Sequence, residues 1–127
     1  MLDTCALLAV SGVSRNKIPK ATLQKLSVAD HLFISASSLY EVTLKHKRGL
    51  LNLGSFPSAF EYWETAIREY DCQVLAVKAE DFDSAVCLPQ HHNDPFDRII
   101  IAQALWTKST QVTDDSQVEN YAIEILW

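Results

Sequence analysis

Asp94-Pro95-Phe96-Asp97-Arg98-Ile99-Ile100-Ile101-Ala102-Gln103-Ala104 joins a helix start to a helix body. Asp94 can cap the free N–H groups of a first turn, and Pro95 suits the first helical position because its φ is preset and its missing N–H is not needed there. From Pro95 to Thr107 the residues are apolar around most of the circumference. That pattern predicts a helix enclosed by other elements instead of lying on a surface. Asp97 is then a carboxylate at the start of a buried helix, and it needs a partner.

Working outward, short β-type runs alternate with helical ones. Met1 to Thr4 reads as the stub of a strand, Ala6 to Val10 as a short helix ended by Ser11-Gly12, and Pro19 as the first residue of a helix to about Ala29. Leu32 to Ser35 reads as a strand and Ser37 to Arg48 as a helix. Lys45, His46, Lys47 and Arg48 favour the negative end of its dipole, and Gly49 can take a left-handed cap. Ser55 to Tyr70 is expected to be helical, with Phe56, Phe60, Trp63 and Ile67 on one face as core or an oligomer surface. Then come a strand over 73–77, a helix over 79–88, a polar loop over 89–93, a strand over 111–113, a short helix over 116–121 and a last strand over 123–126. Alternation of this kind implies an α/β fold with a parallel sheet covered by helices on both faces.

The chain has 127 residues, 48% of them apolar and 21% charged, with three Gly and four Pro. This is the composition of one folded domain and argues against disorder. No apolar run approaches the roughly 18 residues of a membrane span, and the start does not read as a signal peptide. Cys5, Cys72 and Cys87 are odd in number and widely spaced, the usage expected of reduced thiols in a cytoplasmic protein. The formal charge of −5 weakens the case for a generic nucleic-acid binder. Two cationic clusters, Arg15/Lys17/Lys20 and Lys45–Arg48, still leave room for a polyanionic substrate.

Four acids give the functional signal. Asp3 and Asp115 follow predicted strands, while Glu41 and Asp97 lie in early turns of predicted helices. In parallel α/β folds the ends of strands and the starts of helices gather at one edge, where sites form. Each acid also has an ordinary explanation. Ser38 and Glu41 have capping-box spacing, Asp97 occupies a helix start, Asp114-Asp115 could form a turn, and Asp3 could end a strand. Their coincidence at one edge favours a site, because converging carboxylates require a compensating charge and a divalent cation supplies one. Hard oxygen ligands select Mg²⁺ or Mn²⁺, and such ions promote phosphodiester hydrolysis by water. His91-His92 is read as part of a loop that shapes the site, since no second His/Cys cluster completes a zinc set.

Several stretches together resemble the PIN domain, in particular the VapC-like ribonuclease toxins of type II toxin–antitoxin systems. They are Leu2-Asp3-Thr4, Ile34-Ser35-Ala36-Ser37-Ser38-Leu39-Tyr40-Glu41-Val42, Lys45 to Leu53, Leu88-Pro89, His91 to Ala104, and Val112-Thr113-Asp114-Asp115. The resemblance implies a three-layer α/β/α sandwich around a parallel sheet of four to five strands. It also implies Mg²⁺- or Mn²⁺-dependent endonucleolytic cleavage of structured RNA such as tRNA. By position, Asp3, Glu41, Asp97 and Asp115 match the acidic quartet as catalytic and metal-holding residues, Thr113 a supporting hydroxyl and Asp94 an accessory acid. Lys45, Lys47, Arg48 and Arg98 are the candidate RNA-binding residues. A homodimer silenced by a small cognate antitoxin, whose tail occupies the active-site groove, is the implied assembly.

Two departures qualify the match. Only Met1 and Leu2 precede Asp3, so the first strand is expected to be short or clipped, and Cys5 and Ala9 stand where many relatives have histidine and tryptophan. Cys5 has no basic neighbour in sequence to activate it and is read as packing. The alternatives are a non-catalytic PIN-like module that binds RNA or protein, and a phosphatase using Asp3 as nucleophile. The second would want another acid at the position held by Cys5.

Overall fold

A computed structural model describes residues 1–14 and 16–127; Arg15 of the first cationic cluster lies outside the described residues. The elements are α1 (Thr4–Val10), α2 (Lys20–Leu26), β1 (Leu32–Ser35), α3 (Ala36–Lys47), α4 (Ala59–Glu69), β2 (Cys72–Leu75), α5 (Ala79–Cys87), α6 (Pro95–Thr107), β3 (Gln111–Val112), a 3₁₀ turn (Ser116–Asn120) and β4 (Ile125–Leu126). The fold is α/β, with every strand pairing parallel. β1 pairs with β2, and β3 with β4.

Among the described residues the expected sheet of four to five strands is seen only as short parallel ladders joined through one residue. Two two-stranded ladders flank that residue: Leu2 bridges in parallel to Ile34 of β1 and to Val112 of β3. Its N–H donates to Phe33 O at 2.8 Å, and the Asp3 N–H donates to Val112 O at 3.2 Å. The predicted strand over 1–4 is this short because Asp3 turns the chain at once into α1. Its side chain accepts from the Ala6 N–H as an N-cap, so Thr4 is already helical.

Successive strand residues feed different cores. Leu2, Ile34, Cys72 and Val112 join Leu7, Val42, Tyr62, Trp63 and Ala66, from α1, α3 and α4. Met1, Phe33 and Leu75 join Ile100 and Ala104 of α6. The period-two alternation of side chains thus buries both faces of the ladders. Helix α6 completes the arrangement. Ile99 packs with Ala85 of α5, Ile100 under Phe33, and Ile101 with Val118 and Tyr121. At about 100° per residue, three consecutive isoleucines point in three directions, which is why α6 is apolar all round.

Two boundaries differ from expectation in a way that moves side chains. α4 starts at Ala59 with Ser58 as its cap, four residues later than expected, because Pro57 and Ser58 delay the first turn. Its buried face is Ala59, Tyr62, Trp63 and Ala66, while Phe60 is exposed and Phe56 lies outside the helix. α2 is capped at Pro19 and ends at Leu26, three residues early. None of the described residues forms a helix long and apolar enough to cross a membrane.

Candidate functional site

Asp3 leaves the single bridged residue and enters α1, so its carboxyl lies at the C-terminal edge of the ladders. It is 6% exposed. One oxygen accepts from the Ala6 N–H, and the Thr113 hydroxyl donates to the carboxylate. Burial pushes this carboxyl up to about 6; those hydrogen bonds oppose the rise, while the charges of Asp114 and Glu41 add to it. Thr113 Oγ1 also accepts from the Asp115 N–H at 3.0 Å, so one hydroxyl links the two acids.

Glu41 sits on α3, whose N-cap is Ser35. The capping-box explanation through Ser38 therefore fails, because the N-cap lies three residues before it. Ser38 instead accepts from Thr4 Oγ1 at 3.0 Å and ties α1 to α3. Glu41 Oε1 meets Lys45 Nζ at 2.5 Å, one turn on. Glu41 Oε2 is buried and has no hydrogen-bond partner among the described residues. A buried carboxylate oxygen without a donor is costly, and here it marks a place for a positive group.

Asp97 occupies the third position of α6. Asp94 Oδ1 caps that helix, accepting from the N–H groups of Phe96 and Asp97. Burial pushes Asp97 up to about 7; His92 opposes the rise, and Asp94, Glu41 and Asp3 add to it. Asp115 caps the 3₁₀ turn with Oδ1, accepting from Gln117 N, while its Oδ2 faces His92 Nε2 at 2.7 Å. Asp114 is exposed and accepts from Asn16 Nδ2.

His92 is the residue whose part in the site the sequence left open. Its side chain is 9% exposed, and Nε2 stands 2.7 Å from Asp115 and 3.4 Å from Asp97. Nδ1 accepts from the Asp94 N–H at 3.1 Å, so the proton of this imidazole is on Nε2, between the two acids. Tyr121 and Arg98 fix the loop that presents it. The His92 N–H donates to the Tyr121 hydroxyl, which donates to Pro89 O. The neighbouring His91 turns the other way and meets Tyr121 edge-on.

Arg98 corrects an expectation. It is 7% exposed, and its guanidinium donates to Ala85 O (3.0 Å), Pro89 O (2.9 Å), His92 O (2.9 Å) and Leu88 O (2.6 Å). It saturates the carbonyls at the end of α5 and faces no solvent, so it cannot meet RNA. Lys45 is half-buried against Glu41. Burial pulls its ammonium down, but the Glu41 hydrogen bond and charge prevail and hold it above the usual lysine range. Lys47 and Arg48 are exposed at the end of α3. Cys5 is half-buried, and burial together with the Asp3 charge pushes its thiol up to about 12. That excludes it as a nucleophile at neutral pH.

The quartet therefore shares one neighbourhood in two linked halves. Asp3, Glu41 and Asp97 act on one another electrostatically, and Asp97 and Asp115 meet through His92. Among the described residues no three His, Cys, Asp or Glu side chains stand close enough to hold a metal ion as they are. The donors are nonetheless of the right kind: hard oxygens, crowded, with one orphaned buried oxygen and a single paired lysine against them.

No curated protein matches the chain. Residues 1–124 match the PIN domain, an α/β family whose members are generally metal-dependent nucleases, and the chain belongs to that family.

Proposed function

We propose that the protein is a Mg²⁺- or Mn²⁺-dependent endoribonuclease, the toxin of a toxin–antitoxin pair, that hydrolyses phosphodiester bonds of structured RNA such as tRNA. The observation that carries this reading is the crowding of buried acids with too little positive charge. Asp3 and Asp97 are held far above the ordinary carboxyl range, and Glu41 Oε2 has no partner among the described residues. A site that disfavours its own charge without a ligand is built for a cation.

Asp3, Glu41, Asp97 and Asp115 would hold the metal, which when bound supplies a water of lowered pKa and stabilises charge on the phosphate oxygens. The remaining work falls to the chain. Thr113 orients Asp3 and Asp115 together. Asp94 fixes the first turn of α6 and so the place of Asp97. His92, clamped by Tyr121 and Arg98, sets the spacing of Asp97 and Asp115. Lys45 holds Glu41 by its Oε1 and leaves Oε2 for the metal, and Lys47 and Arg48 offer exposed charge to the RNA backbone. A homodimer and inhibition by a small cognate antitoxin complete the proposal, in a cytoplasmic setting.

A second reading, a non-catalytic PIN-like module that binds RNA or protein, is favoured by one observation: among the described residues no three ligands stand in coordinating distance. Cleavage assays separate the two. On the first reading, purified protein cuts RNA with Mg²⁺ or Mn²⁺, EDTA stops it, and Asp97→Asn or Glu41→Gln lowers the rate by about 100-fold or more. Cleavage undiminished in Asp97→Asn would show that the site is misassigned. RNA binding without cleavage at any divalent concentration would leave the second reading standing.

A further inference from the structure

Two aromatic rings adjoin acids of the site in sequence and have no part in the chemistry above. Tyr40 immediately precedes Glu41 on α3, and Phe96 immediately precedes Asp97 on α6. Their centroids are 5.1 Å apart and their planes differ by 26°, an offset stack. Tyr40 remains 58% exposed, so Phe96 covers part of one face while the rest of the ring meets water. Phe60 on α4 and Phe82 on α5 are also exposed, but neither adjoins one of the four acids in sequence.

We propose that the Tyr40–Phe96 pair is a stacking platform for one unpaired base of the RNA, next to the phosphate presented to the acids. The proposal rests on the nuclease reading and narrows it, because it requires a single-stranded segment or loop at the cleavage point. A base inside a duplex has both faces covered by its neighbours and cannot reach the ring, whereas an unpaired base offers a free π-face. The platform is pre-ordered. α3 and α6 pack on each other, and Phe96 holds the tyrosine ring, so little side-chain freedom is lost when a base adds to the stack. Stacking neutralises no phosphate, so it is separable from the part played by Lys47 and Arg48.

The experiment uses the full chain, an unpaired RNA oligonucleotide that the wild type cleaves, and the same oligonucleotide annealed to its complement, with Mn²⁺. Tyr40→Ala is expected to raise the KM for the single strand by about 10-fold or more. The slope of binding against salt should not change, and Tyr40→Phe, which keeps the ring, should behave as wild type. Phe60→Ala serves as an exposed-aromatic control and should have no effect. An unchanged KM in Tyr40→Ala overturns the platform, as does an equal effect on single strand and duplex. So does a loss of dimer mass in sedimentation with KM unchanged, which would make the pair a contact between copies. If wild type cleaves and Asp97→Asn does not, these outcomes bear on the platform alone. If wild type neither binds nor cleaves any RNA, the nuclease reading falls and the platform with it.

Discussion

Replacing Asp3 by Asn isolates the electrostatic strain of the site from its geometry. Asn caps a helix about as well as Asp. It can therefore still accept from Ala6 N, and its amide can donate to Thr113 Oγ1. What it removes is the charge. The Asp3 carboxyl is raised in the fold from 3.8 to about 6, chiefly by burial, so the folded protein binds this proton more tightly than the unfolded chain does. Stability from this group is then fully present below the unfolded pKa and is lost as pH rises through the folded one. The side chain is only 6% exposed, so solvent screens little of the effect, and the displacement corresponds to about 3 kcal/mol. In EDTA, urea unfolding followed by far-UV circular dichroism should show wild type and Asp3→Asn alike below about pH 4. They should diverge between about pH 4 and 6, from the unfolded to the folded pKa, until the variant is more stable by about 2–3 kcal/mol at pH 8. Adding Mn²⁺ at pH 8 should recover part of the gap in wild type and less in the variant, since a bound ion stabilises only the folded state. Wild-type and variant stability curves that run parallel across this pH range would refute the account of Asp3 as a buried, uncompensated carboxyl.

Arg98→Lys keeps the charge but cannot reach four carbonyls with one ammonium. It is expected to lower unfolding free energy by about 2–3 kcal/mol in the same urea assay, while the salt slope of RNA binding stays that of wild type; a flattened slope would return Arg98 to the RNA surface. The double variant Lys47→Ala/Arg48→Ala should do the opposite. Stability should change by less than about 0.5 kcal/mol, and the slope of log affinity against log salt should fall by about 1–2 in fluorescence anisotropy; an unchanged slope would remove the end of α3 from the interface.

The fold class and most helices were legible because their signals are local. Asp94-Pro95 starts α6, and Gly49 with its cations ends α3. What was not legible depends on direction and distance. Arg98 lies beside Asp97 in sequence, but neighbours on a helix face about 100° apart. One therefore looks to the site while the other turns into the end of α5. His92 carried no ligand-type spacing. Its place comes from Tyr121 and from Arg98, both bonding to its backbone, and a loop held by a residue 29 positions away has no local signature. The face assigned to α4 slipped because Phe56 and Phe60 are hydrophobic enough to suggest a register that Pro57 and Ser58 forbid. Ser38 and Glu41 had capping-box spacing, yet the hydroxyl three residues earlier, at the end of β1, took the cap.

Structural and functional explanations of these acids are not alternatives at every position. Asp3 and Asp115 each commit one oxygen to a backbone N–H, of Ala6 and of Gln117, and the second oxygen of Asp115 faces His92. A helix start places the carboxylate, and the cap fixes its rotamer, so capping supports a ligand role at these two residues. Asp94 differs, since a single oxygen takes both N–H groups of its helix start. Glu41 and Asp97 cap nothing and owe the backbone no bond. It follows that truncating Asp3 or Asp115 to Ala would lose a cap of about 1 kcal/mol along with the charge, and so confound folding with function. Substituting Glu41 or Asp97 removes charge without removing a cap. These two positions, one carrying an orphaned oxygen and the other a carboxyl raised by burial and by its acidic neighbours, are where a change in activity would speak for the site alone.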